Sequence, residues 1–213
     1  MYYHIDKNLY SMYRSDLITE LHKIIIDTSS NNFGKITYDI LWQTMFFYLE
    51  DYALYLSYFE KFGTEKNSDS VIHLGIKCTQ NFASFWDYLG YGLSTIFRLD
   101  FTDRETYFDP VVNELLKKDI EFSNQLKTMK KLYVAQSELR NRFRHPITHR
   151  YHEYFIKRDE TDTLSNKIGR INYVLELAYK NSLEAMSIYS DIIISSSPNT
   201  MYGSYLKKSI KKQ

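Results

Sequence analysis

The chain is poor in the residues that staple, punctuate or anchor a fold. Its 213 residues hold a single cysteine, Cys78, which excludes an internal disulfide and a cysteine-built metal cage and suits a reducing compartment. Three prolines (Pro110, Pro146, Pro198) and seven glycines are too few for a strand-and-turn architecture. No apolar run approaches the roughly 20 residues that a membrane-spanning helix needs. The opening MYYHIDKNLYSMYR lacks the apolar stretch and small-residue cleavage site of a secretory signal. A soluble, cytoplasmic protein with no membrane partner is therefore expected. Net charge is nearly absent too, at +1, and by itself names no partner.

What the chain does have is helical periodicity. Leu41, Met45, Tyr48, Tyr52, Tyr55 and Phe59 recur at intervals of three and four. Cys78, Phe82, Phe85, Leu89, Leu93 and Ile96 repeat the pattern, as do Ile171, Val174, Ala178, Ser182, Ala185, Tyr189 and Ile192. A shorter stripe joins Leu132, Ala135, Leu139 and Phe143. The spacing predicts long helices over about 7–28, 36–62, 69–97, 127–145 and 166–194, with a shorter one near 110–124. Loops are expected at Asn31–Gly34, Gly63–Ser68 and Arg158–Asp162, and N-caps at Thr37–Asp39 and Ser68–Ser70. No linker rich in proline, glycine or serine divides the chain. The expected fold is all-α: a single antiparallel helical bundle of about five to six long helices over 1–205, with a basic tail at 206–213.

Twenty tyrosines and thirteen phenylalanines raise the prospect of base-stacking platforms. At helical spacing they read instead as core and core-rim residues, and Trp42, Phe85 and Trp86 with them.

Charge is distributed unevenly. Between Lys127 and Arg150 lie seven cations (Lys127, Lys130, Lys131, Arg140, Arg142, Arg144, Arg150) and one acid, Glu138, so this island carries +6 and the rest of the +1 chain −5. A basic island in an acidic body suits a phosphate-bearing partner such as RNA; an arginine-rich, solvated helix end, favoured by the macrodipole alone, is the plain alternative. Within the island, His145, His149 and His152 have spacings that invite a metal reading. Pro146 interrupts it by pushing His145 out of helical conformation, and no acidic residue stands at ligand spacing. Neither a metal nor another cofactor is expected. Arginine beside histidine offers different chemistry. A guanidinium fork matches phosphate oxygens, and an imidazole titrating near neutrality can move a proton. Together they provide what attack of a ribose 2′-hydroxyl on its own phosphodiester requires.

Arg140-Asn141-Arg142-Phe143-Arg144-His145 resembles the signature of the HEPN superfamily of helical nucleotide-binding domains: arginine, four to six residues, then histidine, often with asparagine directly after the arginine. Requiring that asparagine lowers the chance occurrence of the four-residue spacing to roughly 0.014 per chain. Many members are metal-independent endoribonucleases, often toxins or antiviral effectors, that act as dimers with the two motifs face to face. The resemblance implies that Arg140 and His145 form the catalytic pair and that Asn141 orients them; on that reading Arg142, Arg144, His149, Arg150, Lys127, Lys130 and Lys131 of the basic island are expected to contact RNA. It also implies a homodimer, with an antitoxin or a nucleotidyltransferase as candidate partner. Other frames stay open. Arg144 and His149 repeat the spacing, and with Tyr151 they match the variant in which a tyrosine is nucleotidylated; Arg142 and His149 fit the six-residue form. On an ideal helix Arg140 and His145 stand about 140° apart, so the break at Pro146 or a dimer mate has to complete the site. A non-catalytic helical domain binding RNA, nucleotide or protein through the same surface is the alternative, and a scaffold dimerising through aromatic helices is the third.

Overall fold

The computed structural model describes residues 6–24, 32–62, 68–100, 106–118, 120–136 and 164–195. Among them the chain forms six helices and no strand: α1 (Lys7–His22), α2 (Asn32–Phe62), α3 (Ser68–Ile96), α4 (Phe108–Lys117), α5 (Ser123–Ala135) and α6 (Leu164–Ser195). The architecture is an all-α helical bundle.

Local chemistry accounts for several helix ends. Asp6 precedes α1 in extended backbone, and its Oδ1 accepts from the backbone N–H groups of Asn8 and Leu9, two donors that a helix start leaves without partners. At the far end of α1 the Tyr38 hydroxyl donates to the Ile24 carbonyl at 2.6 Å. Pro110 sits in the first turn of α4, where a missing N–H costs little. Helix α3 stops with Arg98 in the left-handed region at φ 47°. There the Leu99 N–H reaches back to the Ser94 carbonyl at 3.0 Å and the Arg98 N–H to Thr95 at 3.3 Å, the bonding pattern of a Schellman stop.

Side-chain pairs fix how the helices run. Asp6 meets Lys61, Arg14 meets Glu50 and His22 stacks on Trp42, so α1 and α2 are antiparallel. Asp51 of α2 takes Lys77 and Asn81 of α3, while Tyr48 lies beside Ser84 and Tyr88, an antiparallel pair again. The neighbours α3 and α6 run in the same direction, with Gly75 facing Ile171 and Gly92 facing Tyr189. Antiparallel α5 lies against both and supplies the return: Phe122 meets Phe97, Tyr133 meets Trp86, and Leu132 meets Asn181.

The three long stripes all face the interior. Every residue of the α6 stripe from Ile171 to Ile192 is buried; Tyr48, Phe59 and Ile96 stand at the rim of the others. Burying a large apolar side chain contributes about 1.5–3 kcal/mol, and one continuous core holds Trp86, Tyr55, Tyr189, Phe82, Phe85 and Phe108. Three glycines of α3, Gly75, Gly90 and Gly92, allow close approach. A Cβ on Gly75 would stand 2.6 Å from Ile171 Cγ2, and one on Gly90 would meet the backbone of Phe108.

Several local expectations are corrected. Helix α2 starts at Asn32, ahead of its expected cap, and takes in most of the expected Asn31–Gly34 loop; Thr37 and Tyr38 are buried inside it. No proline bars a helix there, and one glycine costs only about 1 kcal/mol. Helix α1 ends at His22 rather than 28. The expected helix at 110–124 is α4 at 108–117, after which a turn at Glu121-Phe122 leads into α5. The last stripe is also different. Helix α5 buries Leu126, Met129, Tyr133 and then Gln136, while Ala135 is exposed. Leu139 and Phe143 lie outside the described residues.

Candidate functional site

The basic island divides at Gln136. Lys127, Lys130 and Lys131 belong to α5, whereas Arg140, Asn141, Arg142, Arg144, His145, His149 and Arg150 lie outside the described residues, as do Tyr151, His152 and the 206–213 tail.

On α5 the three lysines do not act alike. Lys130 is half-buried, bonds the Asn113 side-chain oxygen and lies 3.9 Å from Asp109 Oδ1, so part of its charge is offset by α4. Lys127 and Lys131, one turn apart, are exposed and have no carboxylate partner among the described residues. They place two cations on the exposed face of α5.

The end of α5 is built from amides. Gln136 is 3% exposed. Its Oε1 accepts from Trp86 Nε1 at 2.5 Å, and its Nε2 donates to the Ala178 carbonyl of α6 at 3.1 Å. Reciprocally, Asn181 Nδ2 of α6 donates to the Leu132 carbonyl of α5 at 3.2 Å. Trp86 packs edge-on against Phe108 and Tyr133, with centroids 4.7 and 5.4 Å away. Ser182, buried one turn after Ala178, would ordinarily donate to that carbonyl; Gln136 takes it, and the Ser182 hydroxyl has no partner among the described residues. Apolar periodicity did not reveal Gln136 or Asn181. The available signal was a glutamine continuing the Leu126, Met129, Tyr133 stripe.

Several titratable groups among the described residues are held in their neutral form. Burial pushes the Cys78 thiol well above its usual range, so at neutral pH it is no thiolate nucleophile. Burial likewise raises Tyr52 and Tyr55 and takes Tyr48 and Tyr179 up to about 12. Tyr13 is held at about 12, chiefly by its hydrogen bond to Glu60. Among the described residues no group of three or more histidine, cysteine or acidic side chains converges as metal ligands would. No helix among them is long and apolar enough to cross a membrane. Among the described residues most aromatic side chains lie in or against the core, but Phe47, Tyr88, Tyr91, Tyr107 and Tyr173 are exposed.

Comparison with protein-family models, curated proteins and solved structures gave no match.

Proposed function

We propose that the chain is a metal-independent endoribonuclease of HEPN type that cleaves RNA by attack of the 2′-hydroxyl. Arg140 holds the scissile phosphate, His145 moves the proton and Asn141 orients the pair. Arg142, Arg144, His149 and Arg150, with Lys127 and Lys131, track the backbone. Two copies bring their motifs together, which, like a turn of the chain at Pro146, overcomes the roughly 140° offset of Arg140 and His145 on an ideal helix.

One observation carries this reading: Arg140-Asn141-x3-His145, closed by Pro146, stands inside the +6 island of an otherwise acidic chain. The helical architecture and the exposed Lys127 and Lys131 leading into that island agree with it. Those two lysines equally suit a domain that binds RNA without cutting it, which is the second reading. Incubation with single-stranded RNA in EDTA, alongside His145→Ala, separates the two. Cleavage that survives EDTA and vanishes in the variant supports the enzyme; salt-sensitive binding without cleavage supports the binding domain.

A further inference from the structure

Neighbouring stretches of α2 and α3 share one property: from Ile40 to Asp51 and from Asn81 to Thr95 there is no lysine or arginine. The two helices run antiparallel, and Tyr48 of α2 lies beside Ser84 and Tyr88 of α3. On the outer side of that seam large side chains stand in solvent. Ile40 is 45% exposed, Phe47 63%, Tyr88 46% and Tyr91 53%. Ile40 and Phe47 are seven residues apart on α2, and Tyr88 and Tyr91 three apart on α3, so each pair shares a helix face. An aromatic side chain offers about 200 Å², so at these exposures the four side chains present about 400 Å². That is as large as the largest apolar patch of a typical monomer, which is often functional. The bordering Gln43, Thr44, Ser84 and Thr95 are also partly or fully exposed and extend the face to about 600 Å², where specific, stable interfaces begin.

Charge decides what covers this face. RNA and anionic lipid both need cations opposite their phosphates, and neither stretch supplies one. Nor is the face strongly acidic. Of its three carboxylates, Glu50 is held by Arg14 and Asp51 by Lys77, while Asp87 lies at the seam close enough to raise the Tyr48 phenol. A charged partner gains little here, whereas a second copy brings the same uncharged, aromatic surface. The whole chain carries only +1, so two copies approach without long-range repulsion. Tyrosine suits such a contact, because its ring buries apolar area while its hydroxyl keeps a hydrogen-bond partner. We infer that the α2–α3 face carrying Ile40, Phe47, Tyr88 and Tyr91 is a homodimer interface. Two copies pack about a two-fold axis, and their four helices form an intermolecular bundle. The face contains no residue of the basic island, so dimerisation and RNA cleavage can fail separately.

Sedimentation equilibrium over about 1–100 μM protein measures the association. At the upper end wild type is expected at twice the 25.5 kDa chain mass. Phe47→Glu with Tyr91→Glu puts two charges into the centre of the patch and should weaken the dimer at least about 30-fold. Both side chains already face water, so circular dichroism should show the fold retained. Tyr88→Lys alone reads the same face with the opposite charge and should also favour the monomer. Tyr173→Glu is the control: this side chain is 64% exposed on α6, away from the seam, and the variant should dimerise like wild type. A wild type that stays monomeric throughout, a dimer that Phe47→Glu/Tyr91→Glu and Tyr88→Lys leave intact, or equal weakening by Tyr173→Glu overturns the assignment. So does a loss of RNA binding in the double variant while its dimer persists, which would give the face to base stacking.

Discussion

Gly90→Ala tests the close backbone approach of α4 to α3. A methyl group there would stand 2.5 Å from the Phe108 nitrogen, 2.7 Å from its Cα and 2.7 Å from the Thr106 carbonyl oxygen. All three are backbone atoms, so no rotamer change relieves the clash, and the start of α4 has to retreat. Phe108 is fully buried between Trp86 and Tyr133, so that retreat also loosens the rings around Gln136. Overpacking of this kind costs about 1–3 kcal/mol. Alanine's better helix propensity returns about 1 kcal/mol, which leaves a net loss of up to about 2 kcal/mol. At about 2–4 °C per kcal/mol for a chain of this size, the midpoint should fall by up to about 8 °C. Gly169→Ala is the control. Nothing lies within 4 Å of its added Cβ, and the residue is exposed inside α6. It should therefore gain about 0.5–1 kcal/mol. Thermal unfolding followed by far-ultraviolet circular dichroism measures both. A Gly90→Ala protein as stable as wild type would refute the close approach of α4 to α3.

Other consequences follow from the same contacts. Ser182→Ala removes a buried hydroxyl without a partner among the described residues and should be neutral or stabilise by up to about 1 kcal/mol in urea titration; a loss beyond about 1 kcal/mol would mean that the hydroxyl is bonded. The raised phenols of Tyr13, Tyr48 and Tyr179 contribute stability in full below a phenol's ordinary value of 10.0 and lose it as pH rises through about 12. Phenolate absorbance should then show these tyrosines ionising with unfolding, later than in denatured protein; coincident titration curves would contradict their burial. Lys131→Ala should weaken RNA binding and lower the salt slope by about 1, whereas Lys130→Ala, whose charge Asp109 offsets, should do less. Equal effects in filter-binding titrations would argue against the division between them.

The long stripes were legible because their residues are apolar and regularly spaced: Leu41 to Phe59, Cys78 to Ile96 and Ile171 to Ile192 give helices α2, α3 and α6. Reading failed where polar atoms carry the structure. Gln136 belongs to the buried face of α5 because both halves of its amide are bonded, which apolar periodicity does not register. Thr37 and Asp39 look like caps, yet nothing in their neighbours stops a helix from running through them. Helix α3 ends at Ile96, within a residue of the expected 97, although Arg98 stands where glycine is the usual signal. Residue types and spacing supplied Arg140, Asn141 and His145 as candidates, and all three lie outside the described residues.

The ends of the RNA fragments test the proposed chemistry most directly. Single-stranded RNA is incubated in EDTA with wild type and with His145→Ala, and the product termini are mapped. Attack by the 2′-hydroxyl leaves a 2′,3′-cyclic phosphate on one fragment and a 5′-hydroxyl on the other. Those ends from wild type, with no cleavage by His145→Ala, are the expected result. Intact RNA with wild type, 5′-phosphate ends, or full activity in His145→Ala would contradict it.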